Sequence, residues 1–395
     1  MRTCTFPEAR AVVLEAVTGR PGVEHVPLEA CAGRVLAEVA RADRDYPPAD
    51  RSIRDGYAVV SASVPGRVRV IGEVRAGDRF PGEVRPGEAV EIMTGAPMPR
   101  GADAVVMVEH TIADDGFVST ERSSRPGEFV NFQGSEARAG DVLVEPGVRL
   151  DYSHAALLAT VGVASVAVYA KPRVAILATG DEIVPVAETP REFQIRNSNV
   201  YSLAAQVIRA GGVPQLLPVA PDRLDETRWL IEKGLESDLL LLSGGVSAGK
   251  YDLVETVLAG LGAEFLFDRV LIQPGQPLVF GRVPAVDRFF FGLPGNPAST
   301  MVTFEIFARA AVERLAGQTY PALPLTSAPL TRDFRHKTGL TRFLPANLGD
   351  DGGLTPVPWQ GSSDVPAIAR ANCYLVAHAG RAEWKAGDWM QVLRK

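Results

Sequence analysis

Three short segments between residues 178 and 297 hold the side chains best suited to chemistry. They read Ala178-Thr179-Gly180-Asp181-Glu182, Ser243-Gly244-Gly245-Val246-Ser247-Ala248-Gly249-Lys250-Tyr251-Asp252 and Gly292-Leu293-Pro294-Gly295-Asn296-Pro297. Glycines in the second segment let backbone N–H groups turn inward, so Gly244 and Gly245, with the Ser243 and Ser247 hydroxyls beside them, predict an anion nest. Asp181, Glu182, Asp222 and Asp252 offer hard oxygen donors, which suit a magnesium ion that keeps several waters and bridges to a phosphate. In the third segment, Asn296 followed by Pro297 predicts a capped helix start whose free N–H groups favour an anion, behind a rigid Pro294-Gly295 wall. Taken singly, each has a plain structural reading: a tight strand-to-helix turn for residues 243–249, a helix cap for Asp222. Gly244, Gly249 and Lys250 also fit G-x-x-x-x-G-K, but Tyr251 follows where a phosphate loop needs the Ser or Thr that ligates magnesium.

The elements around these segments bring them together. Residues 174–178, 238–242 and 289–291 are apolar runs of the kind found in buried strands, and each segment begins where such a run ends. In an open α/β sheet, loops at the carboxyl ends of the strands converge on one crevice. Further strands are expected at 213–219 and 265–271. Helices are expected from Ser198 to Arg209, closed by Gly211-Gly212, then over 224–235 and 253–261, and from Pro297 to Ala316 with Gly317 as the stop. A mostly parallel sheet with helical crossovers follows.

The flanks read differently. Residues 7–17 and 28–39 are expected to be helical, broken by Gly19, Pro21 and Gly22. From 61 to 145 the pattern is short β-rich runs separated by Gly and Pro, after which Asp151 caps a helix toward Val161 that packs back on the N-terminal helices. Residues 320–395 return to short strands. The fold class is therefore multidomain α/β and β: a central mixed, mostly parallel α/β domain over 171–318, a discontinuous N-terminal domain over 1–47 plus 137–170, a β-rich insertion over 48–136 and a C-terminal β domain over 319–395. A chain of 395 residues exceeds a single core, in keeping with this division.

Composition excludes several function classes. A net charge of -6, with scattered Lys and Arg, leaves no stripe for nucleic acid. Cys4, Cys31 and Cys373 are odd in number and lack C-x-x-C spacing, which argues against a disulfide framework or a zinc site. The longest uncharged stretch, 155–170, is shorter than a membrane span, and Glu8 and Glu15 interrupt the N-terminus where a secretory signal would be apolar. The expectation is a cytoplasmic protein with no membrane partner.

In their order, the three segments follow Asp55-Gly56-Tyr57-Ala58-Val59 and Ile92-Met93-Thr94-Gly95-Ala96-Pro97. The five motifs together resemble the molybdopterin molybdenumtransferase family, the bacterial relatives of the gephyrin E domain. The similarity runs on to Gln360-Gly361-Ser362-Ser363 and Ala371-Asn372-Cys373. It implies insertion of molybdate into adenylylated molybdopterin, with magnesium (Mg2+) as cofactor and release of AMP. It implies a central domain of the molybdopterin-binding type and an elongated four-domain homodimer with a shared active site, where the β insertion of one subunit completes the crevice of the other. Handover from a molybdopterin adenylyltransferase and to molybdoenzymes is implied as well. Catalytic roles would then fall on Asp55, Thr94, Glu182, Asp222 and Asp252, with Asp222 and Asp252 as metal ligands. Substrate would meet Ser243, Gly244, Gly245, Ser247, Arg269, Gln273, Gln276, Pro294, Gly295, Asn296 and Pro297.

Three departures from the family pattern bear on charge. Gln273 and Gln276 stand where many relatives carry the lysines of a Lys-Pro-Gly-Lys-Pro segment, although Arg269 occupies another lysine position. Arg51-Ser52-Ile53-Arg54 replaces Asn-Ser-Ala-Met, and its arginines either restore positive charge from the partner subunit or are surface residues. Asn131-Phe132-Gln133-Gly134-Ser135-Glu136 replaces an Arg-rich stretch. Two other classes compete. An adenylyltransferase would show Gly-Gly-Thr-Gly at Gly244-Gly245-Val246-Ser247, and a non-enzymatic scaffold would need a long linker or a partner groove.

Overall fold

The computed structural model describes residues 2–18, 21–244 and 253–395. They form two compact units, one of Glu38–Glu145 with Tyr152–Ser165, the other of Met1–Ala37, Pro146–Asp151 and Val166–Lys395. The chain opens with helix α1 (Phe6–Ala16), where Pro7 occupies the first turn and the Glu8 carboxylate accepts the Thr5 N–H at 2.8 Å. The second helix expected over 28–39 is absent. A single 3-10 turn at Leu28–Ala30 gives way to extended chain, because Gly33 turns left-handed (φ 79°) and Val35 and Leu36 bridge to Arg149 and Val168. Long-range pairing overrides local propensity here.

The unit of Glu38–Glu145 and Tyr152–Ser165 is built on a six-stranded sheet. Its strands are β1 (Gly56–Val59), β2 (Gly66–Val74), β3 (Glu88–Ile92), β4 (Ala104–Met107), β5 (Ile112–Asp114) and β6 (Phe117–Thr120), in the spatial order β4-β1-β3-β2-β6-β5. Successive side chains of a strand face opposite sides, so Tyr57 and Val59 enter one apolar cluster and Ala58 another. Helix α2 (Tyr152–Thr160) belongs to the same unit.

In the other unit the strands are β7 (Arg173–Ala178), β8 (Ile183–Val184), β9 (Ile195–Arg196), β10 (Val213–Leu216), β11 (Leu239–Ser243), β12 (Glu264–Phe267), β13 (Val279–Val283) and β14 (Arg288–Leu293). The main sheet runs β10-β7-β11-β14-β13-β12. Its first four strands are mutually parallel, whereas β13 and β12 attach antiparallel. Helices α3 (Asn199–Ala210), α4 (Leu224–Gly234) and α5 (Leu253–Gly260) supply the crossovers. The sheet is covered on both faces, which explains its continuous apolar strands. Val174, Ile176 and Ala178 pack in one cluster with α1 and α3, and Ala175 and Leu177 pack in the other with Leu230, Ile231, Val257 and Leu258. Each such leucine contributes about 1.5–3 kcal/mol by leaving water.

Beyond β14, α6 (Pro297–Thr303) continues through a π-helical turn at Phe304–Ala308 into α7 (Arg309–Leu315), and Gly317 (φ 87°) ends the run. The C-terminal sheet contains β15 (Leu325–Pro329), β16 (Thr341–Leu348), β17 (Cys373–Ala377) and β18 (Trp389–Arg394), and the short strand Ile272–Gln273 joins its edge at β16. Phe343, Tyr374, Val376 and Leu393 of this sheet share the core that holds α1, α3 and α6. Helix α8 (Val365–Arg370) starts with the Asp364 carboxylate accepting the Ala367 N–H at 3.0 Å. No helix among the described residues is long and apolar enough to cross a membrane.

Candidate functional site

The parallel register aligns three strand ends. Ala178 lies opposite Ser243, and Ser243 opposite Leu293. Past these ends the chains still bond to one another: the Thr179 N–H donates to the Ser243 carbonyl at 3.2 Å and the Gly244 N–H to the Leu293 carbonyl at 3.3 Å. The three segments picked out by the sequence therefore leave the sheet side by side. They open onto a cavity of about 400 Å³ lined by Thr179, Glu182, Ser243, Gly244, and Pro294 through Pro297, with Pro277, Ile183 and residues 195–199 completing the wall.

Glycine is required where the segments crowd. Gly244 is left-handed (φ 93°), and a Cβ there would stand 2.9 Å from the Thr179 carbonyl oxygen. At Gly180 (φ 131°) a Cβ would meet the Glu182 carboxylate at 2.3 Å, so that carboxylate folds over the glycine.

One asparagine ties the wall together. Asn199, at the start of α3, donates from Nδ2 to Ser243 Oγ and to the Gly295 carbonyl, both at 2.8 Å. The carbonyl can only accept, which fixes the amide orientation. Asn199 Oδ1 and Thr179 Oγ1 are buried without a partner among the described residues. Sequence reasoning read Asn199 only as part of a helix, held Thr179 within the first segment without a role of its own, and missed Arg196, Asn197 and Ser198 as lining residues. The signal was an Arg-Asn-Ser-Asn run directly before a helix in an α/β domain.

Asn296 departs from expectation in detail. Its backbone is extended and its side chain makes no capping bond; instead its carbonyl accepts the Thr300 N–H at 3.0 Å, while the Thr300 hydroxyl donates to the Pro294 carbonyl. Several residues proposed for substrate do not line the cavity. Arg269 is exposed and bridges to Thr3, Gln273 pairs with Arg342, and the Gln276 carbonyl accepts the Val270 N–H at 3.0 Å. Between the two glutamines, Gly275 (φ 100°) leaves only 2.3 Å between a built Cβ and a Thr303 methyl, so the segment packs against α6 and presents Pro277 alone to the cavity. Gly245, Ser247 and Asp252 lie outside the described residues, as do Lys250 and Tyr251.

Asp222 is exposed in the turn before α4, and its N–H donates to Asp181 Oδ1 at 3.1 Å. Among the described residues no three His, Cys, Asp or Glu side chains converge as a metal cluster. The oxygen-only donors Asp181, Glu182 and Asp222 still fit magnesium, which commonly takes one or two carboxylates and fills its shell with water and substrate oxygens.

In the β-rich unit, the pairing of Gly56 with Ile92 carries Asp55 beside Thr94. Asp55 Oδ1 accepts the Thr94 N–H at 2.6 Å and the Thr94 hydroxyl at 2.7 Å. The backbone bond, then the hydroxyl bond, holds the Asp55 carboxyl below its ordinary value. Gly56 is obligatory because a Cβ would strike the Val106 carbonyl at 2.0 Å. Arg51 is neutralised within its own unit by Glu136 at 2.8 Å, and Glu136 also accepts from Asn131.

Comparison with known proteins fits this architecture. Family models match three consecutive stretches: the MoeA N-terminal region (domain I and II) over residues 4–162, a probable molybdopterin binding domain over 175–314, and the MoeA C-terminal region (domain IV) over 327–394. The molybdopterin molybdenumtransferase of Bacillus subtilis is 37% identical over 385 residues, 94% of this chain and 89% of that protein. Its namesake from Staphylococcus aureus (strain COL) is 33% identical over 379 residues, covering 93% and 90%. Two solved structures of molybdopterin biosynthesis MoeA protein from Pyrococcus horikoshii superpose with TM-scores of 0.84 and 0.75 at 27% and 30% identity, covering all of this chain and at least 99% of each. The chain belongs to the molybdopterin molybdenumtransferase (MoeA) family.

Proposed function

We propose that this protein completes the molybdenum cofactor by inserting molybdate into adenylylated molybdopterin with release of AMP. The observation that carries the reading is the cavity at the aligned carboxyl ends of β7, β11 and β14, where the three motif segments meet. In the reaction water adds across the phosphoric anhydride, so that AMP leaves and the pterin keeps its terminal phosphate. Two Mo–S bonds to the dithiolene replace two Mo–O bonds of molybdate, whose displaced oxygens leave as water with the thiol protons and protons from solvent. Ser243 Oγ already accepts from Asn199, so its own proton is left for a ligand oxygen. Glu182, on the cavity wall, orients a water or a molybdate oxygen. Asp222 and Asp252 would hold magnesium, directly or through water. When bound, it would neutralise charge on the anhydride oxygens. Preorganised donors of this kind, fixed before substrate arrives, supply most of the acceleration in such transfers.

A homodimer whose Asp55–Thr94 pair serves the partner's crevice belongs to the same proposal and is supported by the family resemblance. A cytoplasmic location is proposed too, supported by three free, buried cysteines that suit a reducing compartment. The test is incubation with adenylylated molybdopterin, molybdate and magnesium. AMP release that requires both additions is expected; binding of the adenylylated pterin without release overturns the transferase reading, and pyrophosphate release from ATP and molybdopterin would favour an adenylyltransferase.

A further inference from the structure

We infer that Arg196 is the oxyanion anchor of the crevice, the side chain that grips a tetrahedral oxyanion, whether a substrate phosphate or molybdate itself. The inference rests on the transferase reading of the same cavity. Among the described lining residues Arg196 is the only cation and Glu182 the only carboxylate. No acidic side chain among the described residues lies within 4.0 Å of the Arg196 guanidinium, so its charge is not neutralised by an ion pair. Gln273, Gln276 and Arg269 contribute nothing to this wall. An anion entering the described cavity therefore meets a full positive side-chain charge at one place, Arg196.

The guanidinium is also held in position. Its Nε donates to the Val186 carbonyl at 3.1 Å and the Glu188 carbonyl at 3.0 Å, which fixes the plane while Nη1 and Nη2 keep no partner among the described residues. Strand β9 sets the backbone, with Arg196 in parallel register with Val184 and the Glu182 carbonyl accepting the Ile195 N–H at 2.9 Å. A planar fork of free N–H groups matches two oxygens of a phosphate or molybdate, a geometry that lysine cannot reproduce. Helix α3 begins three residues later, and its first-turn N–H groups add a partial positive charge on the same wall. A second consequence follows from the Nε bonds. The same side chain that holds the anion also ties down residues 186–188, so anion binding and order in that loop are coupled.

Arg196→Gln and Arg196→Lys in the full-length protein separate this role from that of a mere loop latch. Binding of molybdate and of AMP is measured by calorimetry, KM and kcat for AMP release are measured with each substrate varied, and thermal stability is recorded alongside. R196Q is expected to weaken oxyanion binding on the order of tenfold or more, as the loss of a charge-assisted bond should, and to raise KM more than it lowers kcat. R196K is expected to recover part of the loss, since it restores charge without the fork. A rise confined to the KM of molybdate assigns the anchor to molybdate; a rise confined to the KM of the adenylylated pterin, with weaker AMP binding, assigns it to phosphate. If R196Q lowers stability yet leaves every Kd and KM at the wild-type value, Arg196 is only a latch and the inference is wrong. A wild-type protein that binds neither molybdate nor AMP and releases no AMP overturns the transferase reading itself.

Discussion

Asp55 and Thr94 form a short paired contact between two motif residues, one carboxylate oxygen taking both a backbone and a hydroxyl proton. Such bonds favour the charged form, so the carboxyl titrates below the ordinary aspartate value of 3.8. The sign of the linkage is set by that depression. The pair's contribution to stability is complete above the ordinary value and is lost as pH falls through the lower, folded one. Carbon-13 NMR titration should show Asp55 ionising below other exposed aspartates, and Thr94→Val should move it up part of the way, because the backbone N–H remains. An unchanged titration in that variant would mean the hydroxyl bond does not form in solution. The motif made both residues visible in the sequence. Their contact depended on the register of β1 against β3, which no local pattern specifies.

Among the elements, α3, β11 and the loop after β14 are joined through a single amide. Asn199 gives both of its protons to groups on the other two elements, and nothing else donates to Ser243 Oγ or to the Gly295 carbonyl among the described side-chain bonds. Asn199→Ala leaves the buried Ser243 hydroxyl without its donor, a loss of about 1–3 kcal/mol. Urea unfolding should show it as a lower midpoint, with AMP release reduced because three walls of the cavity lose their common tie. Asn199→Asp should be worse, since it turns a carboxylate oxygen toward the Gly295 carbonyl. A midpoint unchanged by Asn199→Ala would remove the bridge from the account. The helix itself was readable from its periodicity and from Gly211 at its end (φ 94°). The bridge was not, because its partners lie 44 and 96 residues away.

For the whole molecule, the two compact units carry different reporters. All four tryptophans, Trp229, Trp359, Trp384 and Trp389, belong to the unit that contains Val166–Lys395, whereas Tyr46, Tyr57 and Tyr152 lie in the other. Each unit has its own buried apolar clusters, so one two-state transition is not the expectation. Denaturant curves followed by tryptophan fluorescence and by far-ultraviolet circular dichroism should differ in midpoint, the second reporting both units. Coincident curves would show instead that the chain unfolds as one cooperative block.

By itself the sequence determined that the three motif segments follow buried strands, the alternation of strand and helix from 173 to 317, and the β character of the chain on either side. Those features are local: apolar period, glycine stops and a helix start leave their mark within a few residues. It misread residues 28–39, where pairing with Arg149 and Val168 outweighs helical propensity. It placed Gln273, Gln276 and Arg269 with the substrate, and among the described residues these three do not line the cavity, Gly275 packing against α6 between the two glutamines. Only the tertiary structure decided that Arg196, Asn199 and Thr179 share a cavity with Glu182, Ser243 and Pro294. The reason is physical: a parallel sheet aligns strand ends that are distant in the chain, and the walls of the crevice follow from that alignment.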